Sequence, residues 1–192
     1  MYLFAGLGNV GREYEYTRHN VGFLCVDEIR NTYNIGEHRV KFGADLFFGK
    51  IESKDVIVAK PKTFMNRSGI AISQIKSFYK IFLENIFVFH DDLDLEFCRI
   101  KYKLGGSSAG HNGIKNIDEM ISKNYNRIRF GIGRPEDRRD VVDFVLQKFN
   151  TEELKCVSTL AKKISENVGT LLGNKSEEFT NKLTISTHTT TQ

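Results

Sequence analysis

What most constrains this chain is an alternation of short apolar runs with longer segments of helical periodicity. The runs Tyr2 to Ala5, Leu46 to Ile51, Val56 to Ala59, Asn85 to Phe89, Cys98 to Leu104 and Ile128 to Ile132 read as strands. Between them, Asn20 to Tyr33, Ser68 to Ile81, Ile114 to Ser122, Val141 to Phe149 and Thr151 to Leu172 read as helices. The last is the clearest, with Leu154, Val157, Leu160, Ile164, Val168 and Leu171 three and four apart. Strands interleaved with helices fold as a sheet covered on both faces. The polar turn Glu52-Ser53-Lys54-Asp55 makes a hairpin of its flanking strands, so the sheet is mixed. The expected fold is a single-domain three-layer α/β/α sandwich with a mixed, mostly parallel twisted sheet. The domain is expected over 1–174, and 175–192, ending in STHTTTQ, as a polar and partly mobile C-terminal tail.

No apolar run approaches the roughly 18 residues needed to span a bilayer, so no membrane is expected. The N-terminal residues lack the basic and apolar regions of a secretory signal, which makes the cytoplasm the expected compartment. Cys25, Cys98 and Cys156 are odd in number, far apart and set in apolar patterns. They are expected to be ordinary buried residues, without a disulfide framework or a zinc site. A net charge of +4 is too small to argue by itself for nucleic acid.

GLGNVG, Gly6 to Gly11, matches the G-x-G-x-x-G pattern of a dinucleotide-binding turn. That turn must open a helix and be followed, about 20 residues on, by an acidic residue ending a second strand. Here REYEYTRHN follows the third glycine, and Asn31 to Asn34 end a helix. Both requirements fail, and no cofactor is expected. The glycines are then expected to bend the chain after the first strand. That accounts for neither Asn9 nor Thr17-Arg18-His19-Asn20.

Polar clusters follow several of the strands: Asn9 with Tyr14 and His19; Thr63, Met65 and Asn66; His90, Asp91, Asp92 and Asp94; His111 with Asn112. If these strands run parallel, their loops converge at one edge of the sheet, where α/β proteins place their sites. Metal ligation by His90, Asp91 and Asp92 is disfavoured, because neighbours in an extended segment point to opposite faces. There is no H-E-x-x-H motif, and no serine lies in G-x-S-x-G.

In this order and spacing, GLGNVGREYEYTRHNVGF, KTFMNRSG, HDDLDL, KLGGSSAGHNGIKNI, RIRFGIGRP and VVDFVLQKF resemble bacterial peptidyl-tRNA hydrolase, over residues 2 to about 172. The resemblance implies a monomeric enzyme that cleaves the ester between a peptide and the 3′-terminal ribose of tRNA. It makes His19 the catalytic base and Asp91 its partner. Asn9, Asn66 and Asn112 become polar groups of the crevice, lined also by Tyr14 and Met65, with His111 in a structural or substrate-orienting role. It points to Lys101, Lys103 and Arg129 as contacts to the tRNA acceptor stem and 3′ CCA end.

The residue types suit this chemistry. A neutral imidazole can take a proton from water, and a carboxylate can fix its tautomer and stabilise the imidazolium. Asparagine amides can donate to an oxyanion without adding charge. Arg99, Lys101 and Lys103 share one face of their strand, which suits phosphate contacts, and nothing resembles a base-reading platform. Three positions depart from the family pattern: Val10 replaces a proline, Leu95-Glu96-Phe97-Cys98 lacks a Pro-x-Gly turn, and Ser107-Ser108-Ala109 replaces part of a glycine run. The alternatives are an RNA-binding relative without hydrolytic activity and another carboxylic-ester hydrolase on the same fold.

Overall fold

A computed structural model of the chain describes residues 1–137, 140–173 and 175–184. Strands β1 (Tyr2–Gly6), β4 (Lys54–Pro61), β5 (Ile86–Asp92) and β7 (Asn126–Gly131) form a parallel centre in the order β4-β1-β5-β7. Antiparallel strands flank it: β3 (Ala44–Ile51) on β4, β2 (Glu37–Lys41) on β3, and β6 (Ile100–Leu104) on β7. The seven-stranded order is β2-β3-β4-β1-β5-β7-β6.

Burial follows position in the sheet. Every residue of β5 is buried, as expected of a central strand covered on both faces. His90, Asp91 and Asp92 belong to this strand instead of to a loop beyond it. Every residue of β2 is exposed. Its charged side chains protect an edge, and without an apolar alternation it carried no strand signal in the sequence.

Helices α1 (Val21–Thr32), α5 (Thr151–Asn167) and α6 (Ser176–Thr184) cover one face, while α2 (Ser68–Phe78) and α3 (Asn112–Ile121) cover the other. The alternation within β1 divides the core: Phe4 packs with Val21, Ile29 and Ile164, whereas Leu3 and Ala5 pack with Ile72, Ile75 and Ile117. Asn150 and Glu153 form a reciprocal capping box that starts α5. The helix expected to Leu172 ends at Asn167 and tightens into a 3-10 turn, Val168–Gly173. Ser68 does not cap α2; its hydroxyl donates to the Met65 carbonyl at 2.9 Å.

Two further expectations are corrected. Helix α6 lies where a polar tail was expected, and its Phe179 and Leu183 are buried in the core. STHTTTQ itself lies outside the described residues. Cys98 and Cys156 form a disulfide, with Cα atoms 6.5 Å apart, that joins the turn before β6 to α5. They are 58 residues apart in the chain, so their meeting depends on the tertiary fold. Cys25 is a free, buried thiol, and burial pushes its pKa up.

The glycines of GLGNVG mostly permit close approach. A Cβ on Gly6 would lie 2.4 Å from the Gly22 carbonyl, and one on Gly8 2.6 Å from the Phe23 ring. Only Gly11 takes a positive φ, at 133°. Helix α1 can therefore pack directly over the end of β1 and bring the preceding turn, with His19, toward β5.

Candidate active site

The loops after β1 and β4 and the end of β5 converge at the carboxyl edge of the parallel strands. They enclose a cavity of about 430 Å³. Asn9, His19, Met65, Asn66, Asp91, His111 and Asn112 all reach it. Its apolar lining comes from Phe64, Leu93 and, in the short helix α4 (Val141–Leu146), Val141, Val142, Val145 and Leu146.

Asp91 Oδ1 lies 2.8 Å from His19 Nδ1 and 3.0 Å from His111 Nε2. The tautomers follow from the surrounding bonds. His111 Nδ1 accepts the Ile114 N–H at 3.2 Å, capping α3, so its Nε2 carries the proton donated to Asp91. Asp91 also accepts from His19 Nδ1–H. The His19 Nε2 lone pair is then left available to the cavity.

The electrostatics support this assignment. Burial alone would lower the His19 pKa, but the charge and hydrogen bond of Asp91 prevail and raise it. Burial would raise that of Asp91; the two histidines outweigh it and hold the carboxyl well below the usual range. Burial first, and then the proximity of His111, lower the His90 pKa to about 3, so this histidine is neutral. Its Nδ1 donates to the Asp91 carbonyl at 2.7 Å. Donor atoms of His19, Asp91 and His111 lie within 4.8 Å of one another. The nitrogens facing Asp91 carry its hydrogen-bonding protons, so the cluster reads as a hydrogen-bonded triad.

Asn9 is held on three sides. Asn20 Oδ1 accepts the Asn9 N–H at 2.7 Å, and Asn20 Nδ2 donates to the Asn9 carbonyl at 2.8 Å. Asn9 Oδ1 accepts the Met65 N–H at 3.1 Å, which leaves Nδ2 as the group it can offer a ligand. Asn66 and Asn112 are exposed at the cavity. Tyr14 is not on its wall.

The basic residues separate into two kinds. Register pairs Lys101 with Arg129 and Lys103 with Arg127, so all four point to one face of the sheet. Lys101 and Lys103 are exposed. Arg129 donates to Asp92 Oδ2 at 2.7 Å, and this pairing holds the Asp92 pKa down against burial. Asp92 Oδ1 also accepts the Asp94 N–H at 2.8 Å, so Asp92 holds the turn after β5. Asp94 itself pairs with Arg134. Sequence reasoning left Arg18 and Asn20 without a role and did not find Phe64, Leu93 or the α4 wall; their contacts come from distant segments. The only signal was the unexplained stretch Thr17 to Asn20.

A family model described as peptidyl-tRNA hydrolase matches residues 3–191. The peptidyl-tRNA hydrolases of Rickettsia canadensis (strain McKiel) and Rickettsia prowazekii (strain Madrid E) are 47% and 45% identical over 184 residues, spanning 95% of this chain and 100% of each relative. The crystal structure of peptidyl-tRNA hydrolase from Acinetobacter baumannii matches with a TM-score of 0.90 at 35% identity, covering 95% of this chain and 94% of that one.

Proposed function

The chain belongs to the peptidyl-tRNA hydrolase family, an enzyme of peptidyl-tRNA hydrolysis, and we propose that His19 is the general base of that reaction, with Asp91 as its partner. The carrying observation is the pair of histidines on Asp91 Oδ1. His111 is engaged through both nitrogens, while His19 keeps Nε2 for the cavity. A water at His19 Nε2 gives up a proton as it attacks the ester carbonyl, and Asp91 stabilises the imidazolium that forms. The amides of Asn9, Asn66 and Asn112 are the available donors for the tetrahedral oxyanion. The imidazolium then returns the proton to the departing ribose oxygen. No protein nucleophile is required.

Lys101 and Lys103 supply exposed positive charge for the acceptor stem. Arg129, held by Asp92, is read as a contact to the acceptor end of the tRNA. Among the described residues no helix is long and apolar enough to cross a membrane. The reading includes a monomer acting in the cytoplasm. Its test is single-turnover hydrolysis of an N-blocked aminoacyl-tRNA. His19→Ala is expected to lose at least about 10²-fold in rate while retaining the fold; turnover at the parent rate would overturn the assignment.

A further inference from the structure

We infer that Arg18 is a positioning residue that holds the apolar α4 wall of the cleft against the turn carrying His19. Helix α4 has only six residues, none buried, and no side-chain hydrogen bond at its N-cap. A helix this short has little stability of its own, so its place must be set by tertiary contacts. Yet it contributes Val141, Val142, Val145 and Leu146 to the cavity.

Arg18 supplies such contacts. Its side chain is 10% exposed, and its guanidinium lies 4.6 Å from the Phe144 ring centre and 5.3 Å from that of Phe149. Nη1 donates to the carbonyls of Lys148 at 3.1 Å and Gln147 at 3.4 Å, just past the end of α4, where a cation also suits the helix dipole. Nη2 donates to Glu153 Oε1 at 2.7 Å, while Glu153 Oε2 accepts the Asn150 N–H that starts α5. The backbone adds Arg18 N–H to the Gln147 carbonyl at 3.0 Å and Phe149 N–H to the Tyr16 carbonyl at 2.9 Å. One planar cation, on the residue next to His19, thus joins the end of α4 to the start of α5. Lysine could not reproduce this fork.

The inference rests on the reading of the His19 cleft, and its readouts are chosen to separate the two. Arg18→Met is expected to raise KM for an N-blocked aminoacyl-tRNA by about tenfold, the scale of one charge-assisted contact. Amide exchange at residues 141–146 should accelerate, with kcat changed by less than about threefold and the acid limb of the pH profile in place. Arg18→Lys should restore little of the loss. Glu153→Gln, which keeps an oxygen for the α5 cap, should give a smaller rise in KM and serves if Arg18→Met does not fold. Unchanged KM and α4 exchange would overturn the inference. So would a fall in kcat with a displaced acid limb, because Arg18 would then act on the His19–Asp91 pair. Failure of the His19 reading shows separately, as full turnover by His19→Ala.

Discussion

Replacing Asp91 with asparagine preserves the shape of the site and removes its charge. Asparagine can still accept the His19 and His111 N–H groups through its carbonyl oxygen, so the His19 tautomer can survive. What is lost is the carboxylate 2.8 Å from His19 Nδ1, in a site where Asp91 is 2% exposed and His19 13%. Two unit charges about 4 Å apart interact by about 4 kcal/mol at an effective dielectric near 20, which amounts to a factor of about 10³ in rate if the imidazolium is fully formed in the transition state. The sign of the pH effect is a sharper test. Activity needs neutral His19 and is lost as pH falls through its pKa. In the parent protein Asp91 raises that pKa against burial; without the charge, burial acts unopposed and lowers it. Asp91→Asn should therefore have a lower kcat and an acid limb displaced to lower pH, measured by single-turnover hydrolysis across the pH range. A limb that stays in place or moves to higher pH would refute the assignment of His19 as the base coupled to Asp91.

Lys103→Ala should raise KM with little change in kcat, and the slope of log K against log salt should lessen by about 0.7–0.9 if one phosphate contact is lost; an unchanged slope in a tRNA-binding titration would remove Lys103 from the interface. The Cys98–Cys156 disulfide closes a span of 58 residues. On the chain-entropy account, Cys156→Ser costs about 4 kcal/mol in an oxidising buffer, or about 8–16 °C in Tm. Equal melting of oxidised and reduced parent protein would contradict that account. Phe179→Ala, at a fully buried site in α6, should destabilise by about 3–5 kcal/mol in denaturant titration; a loss below about 1 kcal/mol would mean that α6 adds little to the core.

Much of this architecture is written locally. The apolar run before His90 reads as a strand and is one, covered on both faces, and the spacing from Leu154 to Val168 reads as a helix with one buried face. Features without a local signature were not legible. β2 is an edge strand with no buried side, and α6 has too few apolar residues to stand out until Phe179 and Leu183 meet the sheet. The limits of α5 and β5 moved because ends depend on neighbouring packing: the last turns of α5 tighten to 3-10, and pairing with β7 extends β5 through Asp92.

The sequence by itself determined the alternation of strands and helices apart from β2 and α6, hence the layered sheet, and the ordered motifs identified the family and named His19, Asp91 and the three asparagines. Both depend on residue type and short-range spacing, which the chain carries before it folds. Only the tertiary structure decided which nitrogen of His19 faces the cavity, that Asn20 clamps Asn9, that Arg129 lies on Asp92 and that Cys98 reaches Cys156. Each of these joins residues distant or oppositely placed in the chain, through bonds of about 2–3 Å. Their formation depends on how the elements pack, which no local spacing specifies.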